Sequence, residues 1–468
     1  MKTTIEAAKT VFNTQLNSYI EVGKRSVPER KSDLKHLKKA ILSRRDRIAE
    51  ELHNDLGKPY VQCITDDIRP VVDEIRAAMK GLNEWSSVTS IPSSLSLLGI
   101  KAFTKPEPKG VILVLAPFNF PFNLALGPLV SALAAGNCCM LKPSEFTPHT
   151  SEIIREIVEE VFGPSQVAVV QGDGTLAAAL TAMPFHHIFF TGGVATGKKV
   201  MKAAAENLCS VTLELGGKSP AIVNKDADFD NAVSRITWGK FVNSGQVCIS
   251  PDYALVHESI RGAFIKAMHE CMARYYGKPL ESLSLSNIVN THHFDRLVLL
   301  LNDALAKGAL IESGGVYDRE RLRFAPTVLS NVNFDMNVMN EEIFGPIMPI
   351  IGWESHEEML AILARNDRPL ALYGFSKSNT WIKKLISDTR AGSTGINDCI
   401  VQFVYPKLPF GGINSSGIGK AHGKAGFDEF SNTRSIIKQQ SKYNLTRLIN
   451  PPYTLKTTKI AQLVLKWL

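Results

Sequence analysis

The sequence predicts an α/β fold of two doubly wound domains with a small β arm, and three observations lead to it. Short runs of Val, Ile and Leu recur after residue 110, and amphipathic stretches of helical spacing separate them. Apolar strands that alternate with helices are typical of a parallel sheet covered on both faces. At 468 residues the chain is also too long for one hydrophobic core.

The N-terminal region is expected to be helical. Residues 1–84 are rich in Lys, Arg, Glu and Asp, while Leu34, Leu37, Ile41 and Ile48 recur at helical spacing. The charged side chains would then form a solvated face of these helices.

The predicted strands fall into two series. The first comprises VILVLAP (111–117), CCMLKPS (138–144), VAVVQGD (167–173), HIFFTGG (187–193) and VTLELGG (211–217). The second comprises PAIVN (220–224), YALVH (253–257), IMPIIGW (347–353), ALYGFS (371–376) and STGIN (393–397). Each series would form one α/β domain, and the two domains would join near the ELGG segment.

Two segments fit neither series and suggest a separate small sheet. SSLSLLGIKAFTKPEP predicts a β-hairpin around Gly99, and FDEFSNTRSIIKQQ predicts a second extended segment. The expected domains are a first domain of residues 1–92 and 109–214, a second domain of 215–408, an arm of 93–108 and 427–440, a return to the first domain at 409–426, and a tail of 441–468.

Composition narrows the class of protein. The 53 basic and 45 acidic residues give a net charge of +8, which favours anionic ligands but is too thinly spread to indicate nucleic-acid binding. The seven cysteines include no C-x-x-C pair, which argues against a zinc site or redox dithiol and for a reducing compartment. The sequence shows neither the apolar core of a signal peptide nor a run of about 18 apolar residues, so we expect a cytoplasmic protein.

A glycine-rich turn nearly matches a phosphate-binding loop. In GGVATGKK, Gly192, Gly197 and Lys198 satisfy the pattern G-x-x-x-x-G-K-[ST], but Lys199 replaces the residue that binds Mg²⁺. A metal-dependent NTPase is therefore not expected. Two interpretations remain: a turn that attracts a phosphate at a helix N-terminus, or an ordinary tight turn.

The LKPSE segment places charged groups at the carboxyl end of a predicted strand. Lys142 could hold ribose hydroxyls, and Glu145 could accept a hydrogen bond from a ribose 2′-OH while disfavouring a 2′-phosphate. The alternative is a surface turn without a ligand.

Two further strand ends carry polar groups. In PFNFP, Asn119 lies in a stiff turn and could donate to a developing oxyanion, although asparagine is also common in turns for local reasons. In ELGGKSP, Glu214 follows an apolar run and precedes two glycines, where desolvation would raise its pKa and suit a general base.

One cysteine lies in a segment rich in turn residues. Cys248 of NSGQVCIS follows Gly245 and has serines on both sides. A free cysteine is usually a small buried hydrophobe, so Cys248 is either a core residue or a nucleophile held on a tight loop.

The order of these motifs resembles the aldehyde dehydrogenase superfamily over nearly the whole chain. The segments that carry the resemblance are PFNFP, LKPSE, FTGGVATGK, TLELGGKSP, GQVCISPDY, EEIFGPIMP and LPFGGINSSGIG. Within this superfamily the chain is most similar to the class 3 branch, which acts on fatty or aromatic aldehydes. Four segments carry this similarity: TWGK, CISPDY, HGKAGFDEFS and NPPYT. Phe118 stands where the family often has Trp, and Gly193 where the class 3 pattern often has Asn.

The resemblance implies a role for each motif. It implies a Rossmann-like NAD-binding first domain, a catalytic second domain and an oligomerisation arm. It implies catalytic roles for Cys248 as nucleophile, Asn119 as oxyanion donor and Glu214 as base. It implies that the cofactor is bound by Lys142 and Glu145 at the adenine ribose, Gly192 and Gly197 near the pyrophosphate, and Glu342 and Phe344 at the nicotinamide ribose and ring.

The implied reaction is oxidation of a medium- or long-chain aliphatic or aromatic aldehyde to a carboxylic acid. It would pass through a cysteine thiohemiacetal and thioester, with NAD as the preferred cofactor, some use of NADP, no metal, and a homodimer as the active form. The alternatives are a coenzyme A-dependent acylating dehydrogenase, against which Glu214 counts, and a non-catalytic nucleotide-binding homologue.

The C-terminal segment KTTKIAQLVLKWL is expected to form an amphipathic helix. Its apolar residues alternate with lysines, but it is too short to span a membrane. It would dock on its own domain or a partner subunit, or at most lie on a membrane surface.

Overall fold

A computed structural model describes residues 2–92, 99–440 and 450–466. The elements of residues 5–108 are α1 (Ile5–Gly23), α2 (Val27–Ser43), α3 (Arg45–Leu56), α4 (Tyr60–Gln62), α5 (Arg69–Trp85), β1 (Thr89–Ile91) and β2 (Ile100–Pro108). A π-helical turn, Cys63–Ile68, joins α4 to α5. Helix α2 begins at Val27 because Ser26 and Glu29 form a reciprocal capping box there.

The first predicted strand series forms as expected. The elements of residues 111–214 are β3 (Val111–Leu115), α6 (Asn123–Ala135), β4 (Cys138–Lys142), α7 (Pro148–Val161), β5 (Val167–Val169), α8 (Gly174–Thr181), β6 (His187–Thr191), α9 (Val194–Ala205) and β7 (Ser210–Glu214). Every residue of β3 and β4 is buried, which agrees with strands covered on both faces.

The second series also forms, with additional short strands. The elements of residues 220–396 are β8 (Pro220–Val223), α10 (Phe229–Phe241), β9 (Tyr253–His257), α11 (Glu258–Tyr276), α12 (Thr291–Ala306), β10 (Leu310–Ser313), β11 (Tyr317–Asp318), β12 (Arg323–Phe324), β13 (Thr327–Ser330), β14 (Ile347–Trp353), α13 (His356–Leu363), β15 (Ala371–Phe375), α14 (Asn379–Asp388) and β16 (Ser393–Ile396). The elements that follow are β17 (Gly417–Ile418), α15 (Gly423–Glu429), β18 (Ser431–Gln439) and α16 (Leu455–Lys466).

Two larger sheets organise the described chain. The first has the strand order β17–β7–β6–β3–β4–β5 and is parallel except for β17. The second has the order β10–β13–β14–β9–β8–β15–β16 and is parallel except for β10. The predicted α/β class with two doubly wound domains is therefore confirmed, while β10 and β13 are short strands that the sequence analysis missed.

Helices cover both faces of each sheet. One core lies between the first sheet and α2, α3, α5, α6 and α7, and a second core lies between its other face and α1, α8 and α9. The second sheet is covered in the same way by α10 and α11 on one face and by α12, α13 and α14 on the other. This arrangement leaves the carboxyl ends of the parallel strands free to carry a site.

A third sheet has the order β1–β2–β18. Strand β2 pairs with β18 along its whole length, and most of β18 is exposed. The hairpin predicted at 93–108 around Gly99 has β2 as its second strand, whereas β1, which pairs with β2, lies before the predicted segment, and residues 93–98 lie outside the described residues. The extended segment predicted at 427–440 begins only at Ser431, because residues 427–429 end helix α15, where the Phe427 side chain is buried.

The predicted C-terminal helix is present as α16. Leu455, Leu463 and Leu465 are exposed on it. Across the described residues, no helix is both long enough and apolar enough to cross a bilayer.

Candidate active site

The strand order gathers several predicted residues at one edge of the first sheet. Glu214 ends β7, Gly192 follows β6, Asn119 follows β3 and Lys142 ends β4. These four strands are neighbours, and they run parallel. Their carboxyl ends therefore meet, as ligand-binding edges of open α/β sheets do.

Cys248 lies on an unusual turn between α10 and β9. Asn243, Ser244 and Gly245 adopt left-handed backbone conformations in succession, with φ of 49°, 52° and 74°. Such conformations are disfavoured for residues other than glycine and, to a lesser degree, asparagine. These strained conformations cost free energy, so the surrounding structure must stabilise them. They place the partly buried Cys248 at the end of the turn.

The turn packs directly against the segment that carries Glu342 and Phe344. A Cβ atom at Gly245 would lie 2.3 Å from the carbonyl oxygen of Gly345. Phe344 itself has a φ of 46°. Two strained segments from distant parts of the sequence thus hold each other in place, and this contact brings Glu342 and Phe344 next to the cysteine turn.

Asn119 is buried and firmly held beside the same turn. Its side-chain amide nitrogen donates to the carbonyl oxygen of Gln246 at 3.0 Å. Its own carbonyl oxygen accepts from Nδ2 of Asn243 at 2.9 Å and from Nζ of Lys58 at 2.9 Å. The predicted oxyanion donor and the predicted nucleophile are therefore joined through residues 243–246.

Glu214 presents an uncommitted carboxylate in a buried place. It is 5% exposed, and neither carboxylate oxygen has a hydrogen-bond partner among the described residues. Burial raises the pKa of Glu214 well above its ordinary value; Lys420 opposes this shift and Glu429 adds to it. A buried carboxylate without partners is costly, so its presence indicates a chemical role rather than a contribution to stability.

The electrostatics of Cys248 involve both glutamates. Burial raises the pKa of the Cys248 thiol to about 12, and the negative charges of Glu342 and Glu214 add to the shift. Burial also raises the pKa of Glu342 to about 8, with Asp252 adding to the shift and a hydrogen bond from the Gly217 backbone opposing it. The structure therefore places two carboxyl groups of raised pKa within electrostatic reach of the Cys248 thiol.

Two groups of predicted cofactor residues lie at the same edge of the first sheet, after β4 and after β6. Lys142 is buried and its Nζ contacts Oε2 of Glu145 at 2.9 Å. Helix α9 begins after Gly193, where no described side chain caps the helix and a Cβ would meet no described atom within 4 Å. Free N–H groups and open space at a helix N-terminus suit a phosphate, so these residues fit a dinucleotide.

Gly197 does not lie in the turn between strand and helix in which the sequence motif placed it. It lies inside α9, and a Cβ there would come within 2.6 Å of the Leu215 side chain. Its lack of a side chain lets the helix approach β7, whereas Gly193 stands at the helix start. Any contact of Gly197 with a pyrophosphate stays a prediction.

Three aromatic side chains surround Phe118, the residue that stands where the family often has Trp. Its ring lies 5.8 Å from that of Phe344, 6.0 Å from that of Phe146 and 5.1 Å from that of His293. These four rings form an aromatic cluster next to Asn119.

Sequence reasoning missed several residues that shape the site. Lys58, Asp67, Asn243 and Gln246 support Asn119, and Gly193 opens the start of α9. The N-S-G triplet before Gln246 is a recognisable signal for a left-handed turn. Lys58 and Asp67 carry no local signal, because only tertiary packing brings them behind residue 119.

Comparisons with known proteins agree with this geometry. The aldehyde dehydrogenase family model matches residues 1–436. A Staphylococcus aureus 4,4'-diaponeurosporen-aldehyde dehydrogenase is 40% identical over 95% of each chain, and the dimeric NADP-preferring aldehyde dehydrogenase of Rattus norvegicus is 37% identical over 93% of each chain. The solved substrate-bound state of Staphylococcus aureus AldH is 38% identical, with a TM-score of 0.93 over 98% of this chain and 99% of the other. This chain is therefore a member of the aldehyde dehydrogenase family.

Proposed function

We propose that this enzyme oxidises aldehydes to carboxylic acids with NAD or NADP, through a thioester on Cys248. One observation carries the proposal: a thiol, a held amide donor and an uncommitted buried carboxylate converge at the carboxyl edge of the first sheet. This combination meets the requirements of covalent capture, oxyanion stabilisation and hydrolysis.

The first step is ionisation of the thiol. With a pKa raised to about 12, Cys248 is a neutral thiol near pH 7 and needs a base. Glu214 and Glu342 both have raised pKa values, so the ionised form of each is a stronger proton acceptor than an exposed carboxylate. The thiolate then attacks the aldehyde carbon, and the carbonyl oxygen becomes an anion.

Asn119 stabilises that anion. Its Nδ2 group donates to Gln246 in the free protein, so a hydrogen bond to the oxyanion would add to or replace that bond. Loss of one such donor typically costs about 2.7–4 kcal/mol in the transition state.

The dinucleotide would be held by the predicted cofactor residues, which are Lys142, Glu145, Gly192, Gly197, Glu342 and Phe344. A bound cofactor would supply the acceptor for the hydride that the thiohemiacetal carbon must lose to become a thioester. Glu145 disfavours a 2′-phosphate by charge, although Lys142 pairs with it and weakens this effect. We expect NAD to be preferred and NADP to be accepted.

Glu214 completes the cycle by activating water. Its unpartnered oxygens can accept a proton from water, and the resulting hydroxide attacks the thioester. Hydrolysis releases the acid and restores the thiol, which distinguishes this reaction from acyl transfer to coenzyme A.

The ring of Phe118, next to Asn119, packs against that of Phe146 and adds apolar surface beside the predicted oxyanion donor, so we propose medium- or long-chain aliphatic or aromatic aldehydes. The name of the 40% identical relative, 4,4'-diaponeurosporen-aldehyde dehydrogenase, also supports an aldehyde substrate. The exposed strand β18 offers an edge for a second subunit, and we propose a homodimer, which light scattering can test.

Two variants test the reaction. Cys248→Ser is expected to abolish formation of NADH with hexanal, dodecanal and benzaldehyde, while Cys209→Ser, at another partly buried cysteine, leaves it intact. Glu214→Gln is expected to slow breakdown of the acyl-enzyme, as followed by intact mass after rapid quenching, more than it slows the single-turnover burst of NADH, because Glu342 remains as a base for the thiol. Undiminished turnover in Cys248→Ser would refute the proposal.

A further inference from the structure

A fully buried ion pair lies behind the turn that carries Asn119. Lys58 and Asp67 are both 0% exposed, and Nζ of Lys58 lies 2.6 Å from Oδ2 of Asp67. Burying two charges costs desolvation energy, so such a pair is weak support for stability. Asp67 belongs to the π-helical turn Cys63–Ile68, and π-helical turns are frequent at functional sites.

The pair holds both ends of the turn. Nζ of Lys58 donates to the carbonyl oxygen of Asn119 at 2.9 Å and lies 4.3 Å from the centre of the Phe120 ring. Oδ1 of Asp67 accepts from the backbone N–H of Asn123 at 3.3 Å, where α6 begins. Residues 119–123 are therefore tied to one buried charge pair.

These contacts determine where the Asn119 amide points. Its peptide oxygen is bonded by Lys58 and Asn243, and its side chain is bonded by the Gln246 carbonyl. Without Lys58 the peptide oxygen keeps one of these two donors, so the peptide plane can rotate and carry the side-chain amide away from the developing anion.

We propose that the Lys58–Asp67 pair is a positioning device for oxyanion stabilisation and acts through Asn119. This inference rests on the proposed role of Asn119 in the reaction. Neither charged group touches the reacting atoms. The pair should affect the step in which the anion forms and leave cofactor binding unchanged.

A charge-balanced double variant tests the inference. Lys58→Met/Asp67→Asn removes both charges together, so no lone charge stays buried, and Asn keeps an acceptor for the Asn123 N–H. A displacement of about 1 Å in a reacting group can cost about 100-fold, so we expect the NADH burst rate to fall about 10- to 100-fold with KM for NAD within about twofold.

A mutant cycle separates positioning from general destabilisation. If the pair acts through Asn119, the double variant should have less than about a twofold effect in an Asn119→Ala background. Arg25→Met/Asp33→Asn, which removes a partly buried pair between the loop that joins α1 to α2 and α2 itself, is the matched control and should leave the burst rate unchanged. If the double variant does not fold, Lys58→Met alone runs through the same cycle, because burial raises the pKa of Asp67 and that carboxyl can take up a proton rather than stay as a lone charge.

The outcomes are distinct. A full rate in the double variant, or an equal loss in both backgrounds, would overturn the positioning role while leaving the proposed function intact. An unaffected burst rate in Asn119→Ala alone would overturn the proposed role of Asn119 and this inference with it. A loss confined to the background that contains Asn119 supports both.

Discussion

Replacing Gly245 with alanine should destabilise the protein and slow its first chemical step. The residue has a φ of +74°, a conformation that costs a residue with a Cβ about 1–2 kcal/mol. The new Cβ would also lie 2.3 Å from the Gly345 carbonyl oxygen and 2.5 Å from its carbonyl carbon. Both atoms belong to the backbone, so no side-chain rotation relieves the clash.

The size of the effect follows from these two terms. Overpacking of a well-filled site typically costs about 1–3 kcal/mol, which with the backbone term gives a loss of about 2–5 kcal/mol. Either the cysteine turn or the Glu342–Phe344 segment must shift, so we also expect the NADH burst rate to fall about 10-fold or more.

Thermal unfolding and stopped-flow measurements on Gly245→Ala test this reasoning. The matched control is Gly262→Ala in helix α11, where a Cβ would meet no described atom within 4 Å. That change should stabilise the protein by up to about 1 kcal/mol. A Gly245→Ala variant as stable as the wild type would refute the reasoning.

Three further variants address charge. Because the pKa of Glu342 rises from 4.5 to about 8 on folding, stability should fall as pH rises through that window, and Glu342→Gln should flatten this fall in denaturant titrations at several pH values. Lys420 opposes the raised pKa of Glu214, so Lys420→Met should move the pH profile of acyl-enzyme hydrolysis to higher pH; an unmoved profile would contradict this. Glu145→Gln should lower KM for NADP more than KM for NAD, and equal changes would exclude charge as the basis of preference.

Much of the fold could be predicted because strand signals are local. Each of the ten predicted runs contains a strand, since continuous apolar residues between helices leave few alternatives. The four residues of β10 are mostly exposed, and such a short exposed strand forms because it pairs with the edge of β13, which a sequence pattern does not reveal. The start of the late arm was wrong for a similar reason, because Phe427 is buried as part of α15.

The candidate site divides along the same line. Asn119, Lys142 and Glu214 could be picked out because polar residues at the ends of apolar strands are conspicuous in one dimension. The environment of these side chains could not be predicted from the sequence, because the pKa of a side chain depends on the residues that pack against it. Lys420, which opposes the shift at Glu214, lies far along the chain from it.

By itself, the sequence determined the α/β class, the strand segments and the residue types available for catalysis, because these depend on neighbours along the chain. The tertiary structure alone decided that the Cys248 turn meets the Glu342 segment, that Glu214 is buried without a partner among the described residues, and that Lys58 supports a carbonyl 61 residues away. Burial and electrostatic fields arise from distances in space, and packing brings together groups that the chain keeps far apart.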